Sequence, residues 1–250
     1  MKMPADYIAP ENLLKDKTIL VTGAAEGIGR VSARTFAASG ATVIILDKNV
    51  PALETLYDEI KLDGSPEAAI YPMDLAGASV SDYETLESTL EKNFGKLDGL
   101  LHNAAILGNL TSISNYDLKQ WQDVMTVNFN APLLLTRACL SLLKASDSAS
   151  VIFTSDTVGR QGKAYWGAYG VSKFATEGLM QILAQELETN TSIRVNSLDP
   201  GPVKTMMRSS AYPGEKPDHC PLPTSIMQSY LYLMGTDSQT LNGQALSSQE

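Results

Sequence analysis

A chain of 250 residues, 44% of them hydrophobic, fits one large or two small globular domains, and its net charge of −9 argues against a nucleic-acid partner. Two separated cysteines and two histidines argue against a disulfide framework and a metal cluster, so no metal site is expected. The chain contains no apolar run of ~18 residues and residues 1–14 lack a secretory pattern, so we expect a cytoplasmic protein without a membrane partner.

Short apolar runs alternate with helical patterns along the chain. The runs predict strands at residues 17–22, 41–46, 68–73, 97–102, 150–154 and 192–197, and the patterns predict helices at residues 29–38, 51–62, 80–94, 118–143 and 168–187. Strands that are apolar on both faces are typical of a parallel sheet covered by helices. The alternation predicts an α/β fold, a Rossmann-like doubly wound parallel sheet of about seven strands with helices on both faces, a three-layer sandwich.

No repeat or low-complexity linker divides the chain, so we expect residues 1–250 to form one domain, with residues 1–15 as an N-terminal extension. Residues 200–223 break the alternation and hold six of the 12 prolines. A long irregular segment in a compact domain is usually functional or mobile. We interpret residues 200–225 as a loop that covers the substrate, and a tolerated surface insertion is the alternative.

A glycine-rich turn joins the first predicted strand to the first predicted helix. Gly23 can adopt backbone angles that are closed to other residues, Gly27 leaves room for a pyrophosphate, and Gly29 lets the helix pack closely on the strand. The helix N-terminus offers free N–H groups and a partial positive charge to phosphates. Because the turn lies in the first βαβ unit, it predicts a dinucleotide site.

Asp47 ends the second predicted strand, 18 residues after Gly29. A carboxylate at this place accepts both ribose hydroxyls of NAD and repels the 2′-phosphate of NADP. Glu26 adds a second negative charge, whereas Lys48 would soften the repulsion. We therefore expect NAD in preference to NADP, and the alternative for Asp47 is a turn residue or helix cap.

Tyr169 and Lys173 are four residues apart and therefore share one face of a predicted helix. A free phenol, with a pKa of about 10, is a poor base at neutral pH, and a nearby cation favours the phenolate. Lys173 and the positive nicotinamide ring of NAD⁺ are the predicted sources of that effect. Tyr169 would take a proton from an alcohol during oxidation, or give one to a carbonyl during reduction.

These motifs together resemble the short-chain dehydrogenase/reductase family from about residue 17 to residue 244. The residues that carry the resemblance are Thr22, Gly23, Gly27, Ile28, Gly29, Asp74, His102, Asn103, Ala104, Ala105, Asn128, Tyr169, Lys173, Pro200, Gly201, Val203 and Thr205. The resemblance implies an NAD(H)-dependent oxidoreductase that interconverts an alcohol and a carbonyl compound. It also implies a homotetramer or homodimer, because family members pair their long helices.

The resemblance further implies roles for individual residues. Its cofactor site would comprise Gly23, Ala25, Glu26, Gly27, Ile28, Asp47, Asp74, Leu75, Asn103, Ala104, Tyr169, Lys173, Pro200, Gly201, Val203 and Thr205. Asp74 would contact the adenine, and Asn103 and Ala104 would line the adenosine ribose. Lys173 would hold the nicotinamide ribose, and Asn128 would hold a water molecule in a proton relay that reaches Lys173.

One position departs from the family pattern. The family keeps a serine 13 residues before the tyrosine to hydrogen-bond the substrate oxygen, and here that residue is Asp156. An ionised carboxylate cannot donate a hydrogen bond, and its charge would raise the pKa of Tyr169. Three interpretations follow: Ser155 or Thr157 supplies the hydroxyl, a protonated Asp156 donates in its place, or catalysis is impaired. Our hypothesis is that the adjacent Ser155 is the catalytic hydroxyl.

Other functions stay open at this stage. Impaired catalysis would make the chain a nicotinamide-binding sensor or partner protein, and the same fold also serves isomerases and dehydratases. The residues predicted near the substrate indicate a partly apolar pocket with some positive charge; they are Arg160, Lys163, Tyr165, Trp166, Met206 and Met207. The identity of the substrate does not follow from these side chains.

Overall fold

The computed structural model describes residues 6–249; residues 1–5 of the predicted N-terminal extension and residue 250 lie outside the described residues. Within that range seven parallel strands form one sheet: β1 (Thr18–Thr22), β2 (Thr42–Asp47), β3 (Ala69–Pro72), β4 (Gly99–His102), β5 (Ser150–Thr154), β6 (Arg194–Asp199) and β7 (Ala245–Ser247). The strand order is β3-β2-β1-β4-β5-β6-β7. The predicted parallel sheet of about seven strands is confirmed.

Eight α-helices in the same range cover the sheet: α1 (Gly27–Ala38), α2 (Val50–Leu62), α3 (Val80–Phe94), α4 (Leu118–Met125), α5 (Ala131–Lys144), α6 (Gly167–Glu188), α7 (Met206–Ala211) and α8 (Met227–Met234). Alternate side chains of a strand point to opposite faces of the sheet. Ile19 and Val21 of β1 pack in a core with helices α1, α2 and α8, whereas Leu20 packs in a second core with α3, α5 and α6. None of the helices described is both long and apolar enough to cross a membrane.

Helix α3 matches its predicted bounds because a local signal marks its start and another marks its end. Ser79 and Asp82 form a capping box at the N-terminus, where the Ser79 N–H donates to the Asp82 carboxylate at 2.7 Å. Gly95 ends the helix in the left-handed conformation with a φ of 70°. Such signals depend on neighbouring residues alone, and the sequence therefore predicts this element correctly.

The predicted single helix at residues 118–143 is wrong in its middle. A π-helical segment at Thr126–Asn130 separates α4 from α5. Pro132 lies at the start of α5 and has no N–H, so it cannot supply the α-helical bond to the carbonyl of Asn128, four residues before it. The Asn128 carbonyl instead lies 3.4 Å from the Thr176 hydroxyl, which donates to it.

The C-terminal third differs most from the prediction. The segment predicted as an irregular loop contains α7, and α8 and β7 follow it without having been predicted. Tyr230 of α8 is fully buried in the first core, and β7 pairs with β6 through Leu198 and Leu246. The strand β7, with three residues, and the helix α7, with six, are too short to show a clear hydrophobic period in the sequence.

The strand order explains where the crevice of this fold lies. The chain builds β2 and β3 on one side of β1, and then crosses over to place β4 on the other side. The helices that follow β1 and β4 therefore diverge to opposite faces of the sheet, and a crevice opens at the carboxyl ends of these strands. The glycine turn after β1 and Asn103 after β4 lie at that crevice.

Candidate active site

A cleft of about 420 Å³ lies at the carboxyl ends of the strands, a size typical of small-molecule sites. The structure brings all of the predicted cofactor residues to the wall of this cleft: Gly23, Ala25, Glu26, Gly27, Ile28, Asp47, Asp74, Leu75, Asn103, Ala104, Tyr169, Lys173, Pro200, Gly201, Val203 and Thr205. Ser155 also lines it, and Asn128 is not among the lining residues. The individual roles of these residues stay predictions.

The glycine turn fits a bound pyrophosphate. Gly23 and Gly27 have φ angles of +66° and +56°, in the left-handed region that favours glycine. A Cβ at Gly29 would lie 2.1 Å from the Gly23 carbonyl oxygen, which leaves no room for a side chain. The first turn of α1 presents N–H groups without partners in the helix, and these groups bind anions.

We expect Gly29→Ala to destabilise the fold by about 1–3 kcal/mol, because the new methyl group must push the turn away from the helix. Gly77→Ala is the matched control, since a Cβ there meets nothing within 4 Å. Chemical denaturation of both variants measures the difference. Equal unfolding free energies for the two variants would show that the turn tolerates a side chain.

Thr22 holds the ends of β1 and β4 together beneath the cleft. Its hydroxyl oxygen accepts hydrogen bonds from the N–H groups of Asn103 at 3.0 Å and Ala104 at 3.1 Å, and it donates to the Leu101 carbonyl at 3.3 Å. The Asn103 side chain donates to the Gly23 carbonyl at 3.4 Å. A single buried hydroxyl therefore orients the segment that follows β4 against the glycine turn.

The carboxylate of Asp47, at the end of β2, already accepts hydrogen bonds from the backbone. It accepts from the Ala25 N–H at 3.3 Å and from the Asn49 N–H at 3.0 Å. Lys48 follows it, is exposed, and also lines the cleft. The negative charge of Asp47 is therefore offset by two backbone dipoles and one neighbouring cation at this end of the cleft.

Tyr169, Lys173 and Asp156 meet at the other end of the cleft. The Tyr169 hydroxyl donates a hydrogen bond to the Asp156 carboxylate at 3.2 Å. The Lys173 ammonium donates to the Thr154 carbonyl at 2.6 Å and lies 5.5 Å from the centre of the Tyr169 ring. Tyr169 and Lys173 come from α6, and Asp156 follows β5, so the sheet and one helix together form this group.

Burial shifts the pKa values of Tyr169 and Lys173 in opposite directions, whereas the neighbouring negative charges raise both. Burial raises the pKa of Tyr169 well above its usual value, and the charge and hydrogen bond of Asp156 raise it further. Burial lowers the pKa of Lys173 to about 8, although the charges of Asp156, Glu177 and Asp199 oppose this effect. The phenol is therefore protonated at neutral pH, and the ammonium can release a proton near neutrality.

The structure does not bring the Ser155 hydroxyl to Tyr169. Ser155 donates its hydrogen bond to Glu177 at 2.6 Å, and Thr157 donates to Asp199 at 3.1 Å. Neither hydroxyl supplies the donor that our hypothesis placed beside the phenol. Successive side chains of an extended segment point in opposite directions, so when Asp156 faces Tyr169 its neighbours face away.

Asn128 lies behind this group in the π-helical segment. Its side chain accepts from the Ile106 N–H at 2.8 Å, and donates to the Ile106 carbonyl at 2.9 Å and to the Ser172 hydroxyl at 3.1 Å. The amide is thus used to hold Ile106, which lines the cleft. Its predicted proton relay through water is not tested by these contacts.

An apolar wall continues the cleft beyond Tyr169. Trp166 and Tyr169 have ring centres 5.6 Å apart, and the partly buried residues packed against them are Leu107, Leu110, Met207, Ala211 and Tyr212. Three residues predicted near the substrate do not line the cleft: Tyr165 is exposed, Arg160 bonds to Glu177 and β7, and Lys163 is exposed over the rings of Trp166 and Tyr212. The sequence analysis missed Tyr212, because only the unpredicted helix α7 carries it to this wall.

Comparisons with known proteins find relatives of this chain in sequence and in fold. The family model for short chain dehydrogenases matches residues 17–216. The oxidoreductase YciK of Escherichia coli strain K12 is 44% identical over 243 residues, which are 97% of this chain and 96% of that protein. A short chain dehydrogenase structure from Pseudomonas syringae is 52% identical with a TM-score of 0.96, and the match covers 98% of this chain and 99% of that one.

Two further structures bear on the cofactor. A short chain dehydrogenase from Shigella flexneri 2a, 44% identical with a TM-score of 0.94 over 96% of this chain and all of that one, is a complex with NADP. Another from Escherichia coli CFT073, 45% identical with a TM-score of 0.93 and the same 96% and 100% coverage, is a complex with NADPH. The prediction of NAD in preference to NADP is therefore wrong. That prediction depended on the repulsion of a 2′-phosphate by Asp47, whereas in the structure this carboxylate already accepts two backbone N–H groups and the cation Lys48 also lines the cleft.

Proposed function

The chain belongs to the short chain dehydrogenase family and is an oxidoreductase, and from this premise we propose that it reduces carbonyl compounds to alcohols with NADPH. The observation that carries the proposal is the hydrogen bond from the Tyr169 hydroxyl to Asp156 inside the cleft. It keeps the phenol in its protonated form at neutral pH, and a protonated phenol is the form that can donate to a carbonyl oxygen.

When bound, NADPH would supply the hydride for this reduction. We assign its pyrophosphate to the turn from Gly23 to Gly29, because the turn has space for phosphate and free N–H groups. Asp74 and Asn103 would line the adenosine, and Pro200 with Gly201 would flank the nicotinamide. The preformed cleft fits a dinucleotide extended across the carboxyl ends of β1 and β4.

The proton path uses Tyr169 and Lys173 of this chain. The Tyr169 hydroxyl would leave Asp156 when a carbonyl oxygen enters, and would give its proton to that oxygen. Lys173 would be the source of the proton that restores the phenol, since its pKa of about 8 makes proton release possible near neutral pH. An intervening hydroxyl or water would have to carry that proton, because the ammonium is bonded to the Thr154 carbonyl. The Thr154 carbonyl holds the ammonium in place for this step. The relay from Asn128 to Lys173 stays a prediction.

Lys48 is the residue we expect to contact the 2′-phosphate, because it is the cation beside Asp47 on the cleft wall. We expect Lys48→Met to weaken NADPH binding about tenfold and to leave NADH binding unchanged, since one charged contact is lost. Lys119→Met is the control, because Lys119 is exposed on α4 and pairs with Asp123. Fluorescence titration with both nucleotides measures the two affinities, and an unchanged NADPH-to-NADH ratio would contradict this assignment.

A panel of aldehydes and ketones with NADPH, followed by nucleotide absorbance, tests the proposed function. Turnover that depends on a carbonyl substrate supports it. Tight NADPH binding without turnover on any substrate would instead indicate a sensor or partner protein. Turnover without net nucleotide oxidation would indicate an isomerase or a dehydratase. The apolar wall around Trp166 and Tyr212 favours substrates with an apolar body, so the panel begins with aromatic and branched aliphatic carbonyl compounds.

Assembly and location remain our predictions. Exposed apolar residues on the outer surfaces of α5 and α6 fit the predicted homotetramer or homodimer; they are Leu133, Val171, Phe174 and Ile182. The single-domain organisation and the cytoplasmic location are likewise proposed and rest on composition. The small-molecule substrate is the partner that the family membership supports.

A further inference from the structure

Glu177 is a buried carboxylate that the proposed mechanism does not use. It lies on α6, four residues after Lys173 and eight after Tyr169, so the three side chains follow one face of the helix. Only 6% of Glu177 is exposed. A buried charge is costly unless it is paired and hydrogen-bonded, so its retention needs a physical explanation.

Both oxygens of the Glu177 carboxylate have close partners. One oxygen accepts from the Ser155 hydroxyl at 2.6 Å and from the Arg160 guanidinium at 3.1 Å, and the other accepts from the Ser197 hydroxyl at 2.7 Å. These donors come from the loop after β5 and from β6. The carboxylate therefore ties α6 to two neighbouring strand regions at the level of the catalytic group.

The network extends to the edge of the sheet through Arg160. Its guanidinium donates to the Leu246 carbonyl at 2.7 Å and to the Ser247 hydroxyl at 3.0 Å, both on β7. Ser155 immediately precedes Asp156, whose carboxylate accepts the hydrogen bond of Tyr169. Anything that moves Ser155 must therefore also move the acceptor of the catalytic phenol.

We propose that Glu177 is a positioning residue of this site, which holds the Asp156 loop against α6 and places a negative charge near the Lys173 ammonium. The groups facing Lys173 are Tyr169 and Glu177 on its own helix, Asp156 after β5, and Asp199 at the end of β6. Burial lowers the pKa of Lys173, and the charge of Glu177 opposes that effect. Loss of Glu177 should therefore make Lys173 release its proton at lower pH.

The first test follows Lys173 directly and needs no substrate. The chain is labelled with ¹³C-lysine, the Lys173 signal is assigned by its absence in Lys173→Arg, and its side-chain shift is titrated against pH. We expect a midpoint near 8 in the natural chain, and a midpoint lower by about one pH unit in Glu177→Gln. Glu186→Gln, an exposed position on the same helix, is the control and should leave the midpoint unchanged. A folded Glu177→Gln with the natural midpoint would overturn the proposal.

The second test separates positioning from folding. Ser155→Ala removes the hydroxyl that connects Glu177 to the Asp156 loop, and we expect it to lower kcat about tenfold with NADPH binding unchanged. Ser141→Ala is the matched control, because Ser141 donates to Glu87 over the same 2.6 Å at an exposed place on α5. If Glu177→Gln does not fold, this pair decides: equal kcat values for the two serine variants would overturn the proposal.

The kinetic test rests on the proposed carbonyl reduction, whereas the titration does not. An inactive natural chain with a lowered Lys173 midpoint in Glu177→Gln would contradict the proposed function and support the role of Glu177. An active natural chain with unchanged Lys173 titration and unchanged Ser155→Ala kinetics would support the function and contradict the role. The two proposals can therefore fail independently.

Discussion

Replacing Tyr169 with Phe is expected to lower the rate of carbonyl reduction about a thousandfold, because the substituted ring has no proton to give. The change removes one hydroxyl and keeps the ring, which packs 5.6 Å from Trp166, so the cleft retains its shape. NADPH affinity should stay within about twofold, since the phenol contributes a proton rather than most of the binding energy. Single-turnover kinetics and NADPH fluorescence measure the two effects separately.

Tyr230→Phe is the matched control for this prediction. Tyr230 is fully buried in α8, and its hydroxyl lies 3.2 Å from the Thr154 hydroxyl rather than in the cleft. Loss of this second phenol should leave kcat within about threefold of the natural value, since it costs one neutral hydrogen bond. If Tyr169→Phe retained the natural rate, the assignment of Tyr169 as proton donor would be wrong.

Replacing Asp156 with Ser is expected to speed up alcohol oxidation at neutral pH by at least about tenfold. Oxidation needs the phenolate of Tyr169, and the Asp156 charge and hydrogen bond both raise the pKa of that phenol. Removing that charge lowers the pKa of the phenol, and each pKa unit lost increases the phenolate fraction about tenfold at a pH below the pKa. The serine would also supply the hydroxyl that the family pattern implies at this position.

The pH dependence of alcohol oxidation with NADP⁺ measures this effect. In Asp156→Ser the rate should rise to its plateau at lower pH than in the natural chain, because the phenol ionises more easily. Asp123→Asn is the control, since Asp123 is an exposed carboxylate paired with Lys119. Loss of activity in both directions in Asp156→Ser would instead mean that a protonated Asp156 is itself the donor to substrate.

If the proposed carbonyl reduction holds, the opposing pKa shifts of Tyr169 and Lys173 suit that direction of the reaction. A phenol with a raised pKa stays protonated and serves reduction, whereas a depressed one would serve oxidation. Asp156 is the chemical difference that sets this direction, and it lies one residue away from Ser155, which the sequence analysis favoured. Under the proposed function, the Asp156 side chain and its orientation are therefore what favour carbonyl reduction over alcohol oxidation at neutral pH.

Local patterns were sufficient to predict most of the fold. The apolar runs predict six of the strands because a strand buried on both faces must be apolar throughout. The bounds of α3 follow from Ser79 and Gly95, and the glycine turn follows from the positive φ that Gly23 and Gly27 require. The shared face of Tyr169 and Lys173 follows from helical geometry alone.

Local patterns could not predict the features that depend on contacts between distant segments. The strand β7 is stabilised by β6 rather than by its own three residues, and the π-helical turn at Asn128 depends on Pro132 together with the Thr176 hydroxyl of another helix. The cofactor preference was misjudged because the sequence shows the charges of Asp47 and Lys48 but not the backbone donors that contact the Asp47 carboxylate. In the structure these donors are the N–H groups of Ala25 and Asn49, and the carboxylate lies beside Lys48.

The sequence by itself determined the apolar strands, the glycine-rich turn, and a tyrosine and a lysine on one helix face, because each depends on neighbours within a few residues. Only the tertiary structure decided which of two adjacent residues faces the phenol. Ser155 turns to Glu177, and Asp156 turns to Tyr169. The reason is that the backbone stays extended at Asp156 after β5, and alternate side chains of an extended segment must point to opposite sides of it.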